Sequence, residues 1–118
     1  MANYNIRICL IDKRIYLSYY TVEAIGMPTH LSFWYDENGN NLIVSAGNKD
    51  DMDAYEISPY FWKNRKHACR ISRIAFLKTL QDIAGWEDGG RYLLEGKIIN
   101  SETGVAAAFN LEQSIRFK

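Results

Sequence analysis

Cysteine, histidine and proline are all scarce in this chain of 118 residues, which holds two of each. The cysteines, Cys9 and Cys69, sit inside strand-like apolar runs with no signal peptide ahead of them. They read as reduced, buried thiols of a cytoplasmic protein, not as a disulfide framework. The histidines, His30 and His67, stand at no spacing with cysteines or carboxylates that would build a metal site, and no cofactor is expected. No apolar run approaches the roughly 18 residues needed to span a bilayer, so no membrane partner is expected. Net charge is also lacking: 14 basic side chains balance 14 acidic ones.

The motifs of catalysis are missing as well. Ser18 and Ser72 lie in no nucleophile elbow or Ser-x-x-Lys spacing and read as helix caps. Gly89-Gly90 is followed by a strand-like run, where a phosphate loop would need a helix N-terminus. Asp50, Asp51 and Asp53 form a polar loop run with no apolar surroundings to raise a pKa. The expectation is a protein that is not an enzyme.

What the chain has is internal repetition. Ser18 opens a short apolar helix that stops at Gly26, and an apparent hairpin follows, Leu31 to Tyr35 and Leu42 to Ala46, with Asn38-Gly39 supplying positive φ in its turn. The pattern returns when Ser72 opens Arg73 to Ala84, Gly85 ends it, and Tyr92 to Ile99 pairs with Val105 to Leu111. Each helix is preceded by a short strand, Arg14 to Leu17 in one copy and Ala68 to Ile71 in the other. A further strand over 5–11 alternates Ile6, Ile8 and Leu10 with Arg7 and Cys9. The expected architecture is α+β, mostly β. It is one domain over 1–118, made of two strand-helix-hairpin repeats (about 5–46 and 67–111) joined by an ordered linker, 47–66. Ile8, Leu10, Val22, Ile25, Phe33, Val44, Leu77, Leu80, Ile83 and Phe109 are the expected core.

Charge is unevenly spread. The first 58 residues hold four cations against eight carboxylates, and the remainder carries the compensating excess of +4. The basic stretch Lys63, Arg65, Lys66, Arg70 and Arg73 combines guanidinium donors with an aromatic and a helix start. Arg7, Lys13 and Arg14 form a matching cluster in the first repeat. Under pseudo-symmetry the two clusters merge into one anion-binding face. A different ligand pocket is suggested by Arg14, Tyr19 and Tyr20, where a nucleotide would stack beside a helix start; one of the two tyrosines is expected to be exposed.

The stretch from Asp12 to Gly26, followed by Leu31 to Asp36 and Asn41 to Val44, resembles the swapped-hairpin fold of the AbrB, MazE and SpoVT group of bacterial DNA-binding proteins. Two copies in one chain resemble the MraZ arrangement. The resemblance implies a barrel-like, single-chain pseudo-dimer acting as a non-enzymatic, DNA-binding transcriptional regulator. Arg14 matches the family's basic strand residue, and Arg70 and Arg73 take the corresponding part in the second copy. The family's Ile-Pro before the helix is Leu17-Ser18 here, and its helix arginines are replaced by Tyr19 and Tyr20. The partner implied is duplex DNA, with a homodimer as a further option. The alternative is a binding or inhibitor module, phage or mobile-element encoded, that takes a small nucleotide or docks on a host protein.

Overall fold

The computed structural model describes residues 4–63, 68–72, 74–101 and 104–117. Among these residues nine strands form one antiparallel, nearly closed, barrel-like sheet, and two short helices pack against it. β1 (Asn5–Cys9) and β2 (Arg14–Leu17) lead into α1 (Tyr19–Ala24). β3 (His30–Asp36) and β4 (Asn41–Ala46) make the first hairpin. β5 (Tyr55–Glu56), a 3₁₀ turn (Pro59–Lys63) and β6 (Cys69–Ser72) lead to α2 (Phe76–Ala84). β7 (Arg91–Ser101) and β8 (Gly104–Asn110) make the second hairpin, and β9 (Ile115–Phe117) follows a 3₁₀ turn. The strands lie in the order β5-β3-β4-β8-β7-β1-β2-β6, and β9 pairs with the start of β7 on the side opposite β1.

The period-two pattern of each strand decides which face is core. Directly opposed residues point the same way, so the register turns the inward positions into rows: Leu94, Ile6, Leu17 and Cys69 in one, Tyr92, Ile8, Ile15 and Ile71 in the next. All eight are buried. In the other half the rows are Phe33, Val44, Ala107 and Ile98, then Tyr35, Leu42, Phe109 and Gly96. Val22 and Ile25 of the first helical segment and Ile74, Leu77 and Leu80 of the second join the same core.

Local signals place α1 as expected. Ser18 is extended and its Oγ accepts the Thr21 N–H. The buried Thr21 Oγ1 lies 2.6 Å from Ser18 Oγ and accepts the Asn5 N–H at 3.2 Å, which ties the helix start to β1. Gly26 takes the positive φ that ends the segment, as Gly85 does for α2.

Four expectations are corrected. Ser72 does not cap α2: it is the last residue of β6, opposite Arg14, and the helix begins at Phe76 after an uncapped Ala75. The left-handed residue of the first hairpin turn is Asn40, not Asn38 or Gly39. Ile83 is 41% exposed because it lies off the helix stripe of Leu77 and Leu80. Leu10 and Phe33 are only partly buried at the edge of the core. His67, the start of the second repeat and the end of the linker fall outside the described residues.

Candidate functional site

The outward positions of β9, β7, β1, β2 and β6 form two rows. One runs Ile115, Leu93, Arg7, Tyr16, Arg70; the next, two residues along each strand, runs Phe117, Arg91, Cys9, Arg14, Ser72. The four arginines therefore alternate between rows over four consecutive strands, Arg91 on β7, Arg7 on β1, Arg14 on β2 and Arg70 on β6. With strands about 4.8 Å apart, the zigzag spans about 14 Å. No arginine faces another directly, and this spares the sheet the cost of opposed like charges. Each arginine instead has Leu93, Tyr16, Cys9, Ser72 or Phe117 beside it in its own row. The Arg7 guanidinium carbon lies 5.1 Å from the centre of the Tyr16 ring, a cation–π contact that fixes the arginine over the sheet.

Among the described residues none of these four arginines is in an ion pair; the pairs described are Lys78–Asp82 and Arg116–Glu87, both exposed. Glu95 is the single carboxylate among the described strand residues of this face, opposite Asn5 in the row beyond Leu93. Beside Arg91, a cavity of about 540 Å³ is lined by Gly89, Gly90, Arg91, Arg116 and Phe117. On the opposite half of the sheet, a groove of about 380 Å³ has Trp34, Ile43, Ile99 and Ala106 on its walls and floor and Asp36 and Glu37 at one end.

The sheet thus brings together Arg7, Arg14 and Arg70 from the two clusters read in the sequence. Lys13 is exposed in the β1–β2 turn and lines a small pocket with Leu77 and Gln81 of the second helix, away from the zigzag rows. Lys63 lies in the 3₁₀ turn with its Nζ 5.4 Å from the Tyr60 ring centre. Arg65, Lys66 and Arg73 lie outside the described residues. Sequence reasoning misses Arg91 because it is remote along the chain from both basic clusters, although the alternation Arg91, Leu93, Glu95 marks one polar-edged strand face.

The pocket expected from Arg14, Tyr19 and Tyr20 is not assembled. Tyr19 is 7% exposed and packs on Phe61 and Trp62, whereas Tyr20 is 58% exposed. Arg14 begins β2 and Tyr19 follows its other end, about 10 Å along the strand. The half-buried hydroxyl of Ser18 and the buried hydroxyl of Thr21 occupy the helix start that an anion would need.

Both cysteines are buried free thiols. Burial pushes the Cys69 thiol up from 9.0 to about 12, so it stays protonated and unreactive. Between those values the unfolded chain has lost a proton that the native state keeps, and stability falls as pH rises through that window. Cys69→Ala should flatten this alkaline decline, measured as the difference between urea melts at about pH 8 and about pH 10. An unchanged difference would show that other groups cause it.

Among the described residues no cluster of histidine, cysteine and carboxylate side chains is arranged to hold a metal ion, and no helix is long and apolar enough to cross a membrane. The chain matches no family model, and no curated protein and no solved structure matches it.

Proposed function

We propose that this chain is a non-enzymatic, DNA-binding regulator of the cytoplasm, with Arg7, Arg14, Arg70 and Arg91 as the groups that meet phosphate. The observation that carries this reading is the zigzag itself. Four guanidinium groups share one sheet face, with no carboxylate partner among the described residues, and the charge of the whole protein is zero. A neutral protein attracts a polyanion only through such local concentration of charge, and guanidinium forks suit phosphate oxygens.

We read the fold as a pseudo-dimer. Taken as a ring in which β6 returns to β5, the strand order is unchanged when β1–β4 are exchanged with β5–β8. That invariance supports the likeness to the AbrB, MazE and SpoVT group. In this reading the two halves meet where β2 pairs with β6, at one end of the binding face.

DNA affinity is expected to fall steeply with salt. Replacing each arginine by glutamine should lower the slope of log K against log salt by about 0.9 for every duplex phosphate that the side chain had neutralised. Fluorescence anisotropy over a salt series checks this. Absence of binding at low salt, or a slope that survives all four replacements, would remove the assignment. The Trp34 groove favours a second reading, a protein-docking module, in which Trp34→Ala weakens capture of a partner and the arginine variants do not.

A further inference from the structure

We propose that the nucleic acid taken by this face is a single strand, which crosses the arginine zigzag from β6 to β7 and places one base in the cavity at Phe117. This rests on the nucleic-acid reading above and goes beyond it.

Three observations carry the step. The first is shape. The zigzag lies on the outside of a barrel-like sheet, a convex surface about 14 Å across between its outer strands. A major groove about 12 Å wide admits a helix or a two-stranded ribbon, not four strands side by side. A duplex is itself a convex rod, so two such surfaces meet along a narrow strip and bring few phosphates to the four arginines. A single strand bends and follows the curve.

The second observation is the alternation within each row. Leu93, Arg7, Tyr16 and Arg70 succeed one another in the first, and Phe117 and Arg91 stand side by side in the second. Single-strand binders combine cations that follow the backbone with rings on which unpaired bases stack. In a duplex the base faces are already stacked on one another, so a ring on this surface has nothing to meet.

The third is the cavity at the end of the zigzag. Its volume of about 540 Å³ accommodates a nucleotide, and its lining matches one: a phenyl ring, two arginines and two glycines that leave the wall without side chains. Gly89 has φ +72, a conformation that keeps this wall open only with glycine. Arg116 is held by Glu87, leaving Arg91 as the charge that leads from the sheet into the cavity.

The test uses the full chain and three labelled probes of equal length: oligothymidylate, oligouridylate and a DNA duplex, each about 12 nucleotides or base pairs, within the range of known single-strand sites. Oligothymidylate or oligouridylate should bind more tightly than duplex, and the two single strands distinguish DNA from RNA as the source. Phe117→Ala and Tyr16→Ala should each weaken single-strand binding by roughly five- to a hundred-fold, the range for one base deprived of its stacking ring, and Phe117→Ala should leave the salt slope unchanged. Arg91→Gln, at an exposed position that spares the fold, should lower that slope by about 0.7. Duplex binding as tight as single-strand binding would overturn this inference and leave the regulator reading standing. Single-strand binding indifferent to both ring variants would also overturn it. Binding of none of the probes at low salt would end both.

Discussion

Phe109→Ala is expected to lower the free energy of unfolding by about 3–5 kcal/mol, a large part of the roughly 5–15 kcal/mol that holds a domain of this size together. Phe109 is fully buried and lies in the row Tyr35, Leu42, Phe109, Gly96, so its removal empties the middle of a close-packed layer. Its ring lies against Gly96, where an added Cβ would come within 2.5 Å of two ring carbons. Gly96→Ala should therefore cost about 1–3 kcal/mol by overpacking in the natural background. In the Phe109→Ala background the same methyl is freed of the ring but still meets the Ala108 carbonyl oxygen at 2.8 Å, so its cost should fall without vanishing. Urea unfolding of the two single variants and the double variant closes the cycle. Additive effects would mean that ring and glycine do not share that space.

The second large effect is expected at Trp86. Its ring stacks on Tyr92 at 4.8 Å and 16°, and its Nε1 donates to Ser114 Oγ at 3.1 Å. Tyr92 Oη in turn accepts the Glu87 N–H at 3.0 Å, and the Gln81 carbonyl accepts the Trp86 N–H. One residue thereby joins the end of α2, the start of β7 and the turn before β9. Trp86→Ala should cost about 3–5 kcal/mol. Trp86→Phe keeps the stack and loses the bond to Ser114, for about 1 kcal/mol, and the loss should be local. Hydrogen exchange should then quicken at Ile115 to Phe117 and stay slow at Ile6 and Ile8. Equal acceleration in both strands would show that Trp86 supports the whole barrel, not β9 alone. Because Phe117 walls the cavity beside Arg91, the same variant should also weaken ligand binding there.

Where a feature is local in the chain, the sequence reveals it. Arg14 to Leu17 alternates, Ser18 offers an oxygen at the N-cap position, and Gly26 permits a left-handed stop; these three facts alone suffice for β2 and α1. Ser72 carries the same capping signal and misleads, because the pairing of β6 with β2 uses Ser72 as a strand residue opposite Arg14. That competition is between segments 58 residues apart, and nothing in the local pattern records it. The site divides in the same way. Arg7, Arg14 and Arg70 are legible once the strands of the two repeats are brought side by side. Arg91 joins them only through the pairing of β1 with β7, a register set by which apolar face closes the barrel, not by any motif. Tyr19 and Tyr20 are indistinguishable by composition; packing against Phe61 and Trp62 decides that Tyr19 turns inward.

The pairing of Asn5–Cys9 with Arg91–Glu95 also governs how the protein is made. When β1 and β2 leave the ribosome they can form a local ribbon, but the other edge of β1 finds its partner only after most of the chain has been synthesised. Closing so long a loop carries an entropic cost that local helices do not meet, and sheets built on such distant pairs fold in milliseconds to seconds. During that interval the hydrogen-bonding edge of β1 is open to other chains. Arg7, in the middle of that edge strand, then has an earlier role: its charge discourages a neighbouring nascent chain from taking the place reserved for β7.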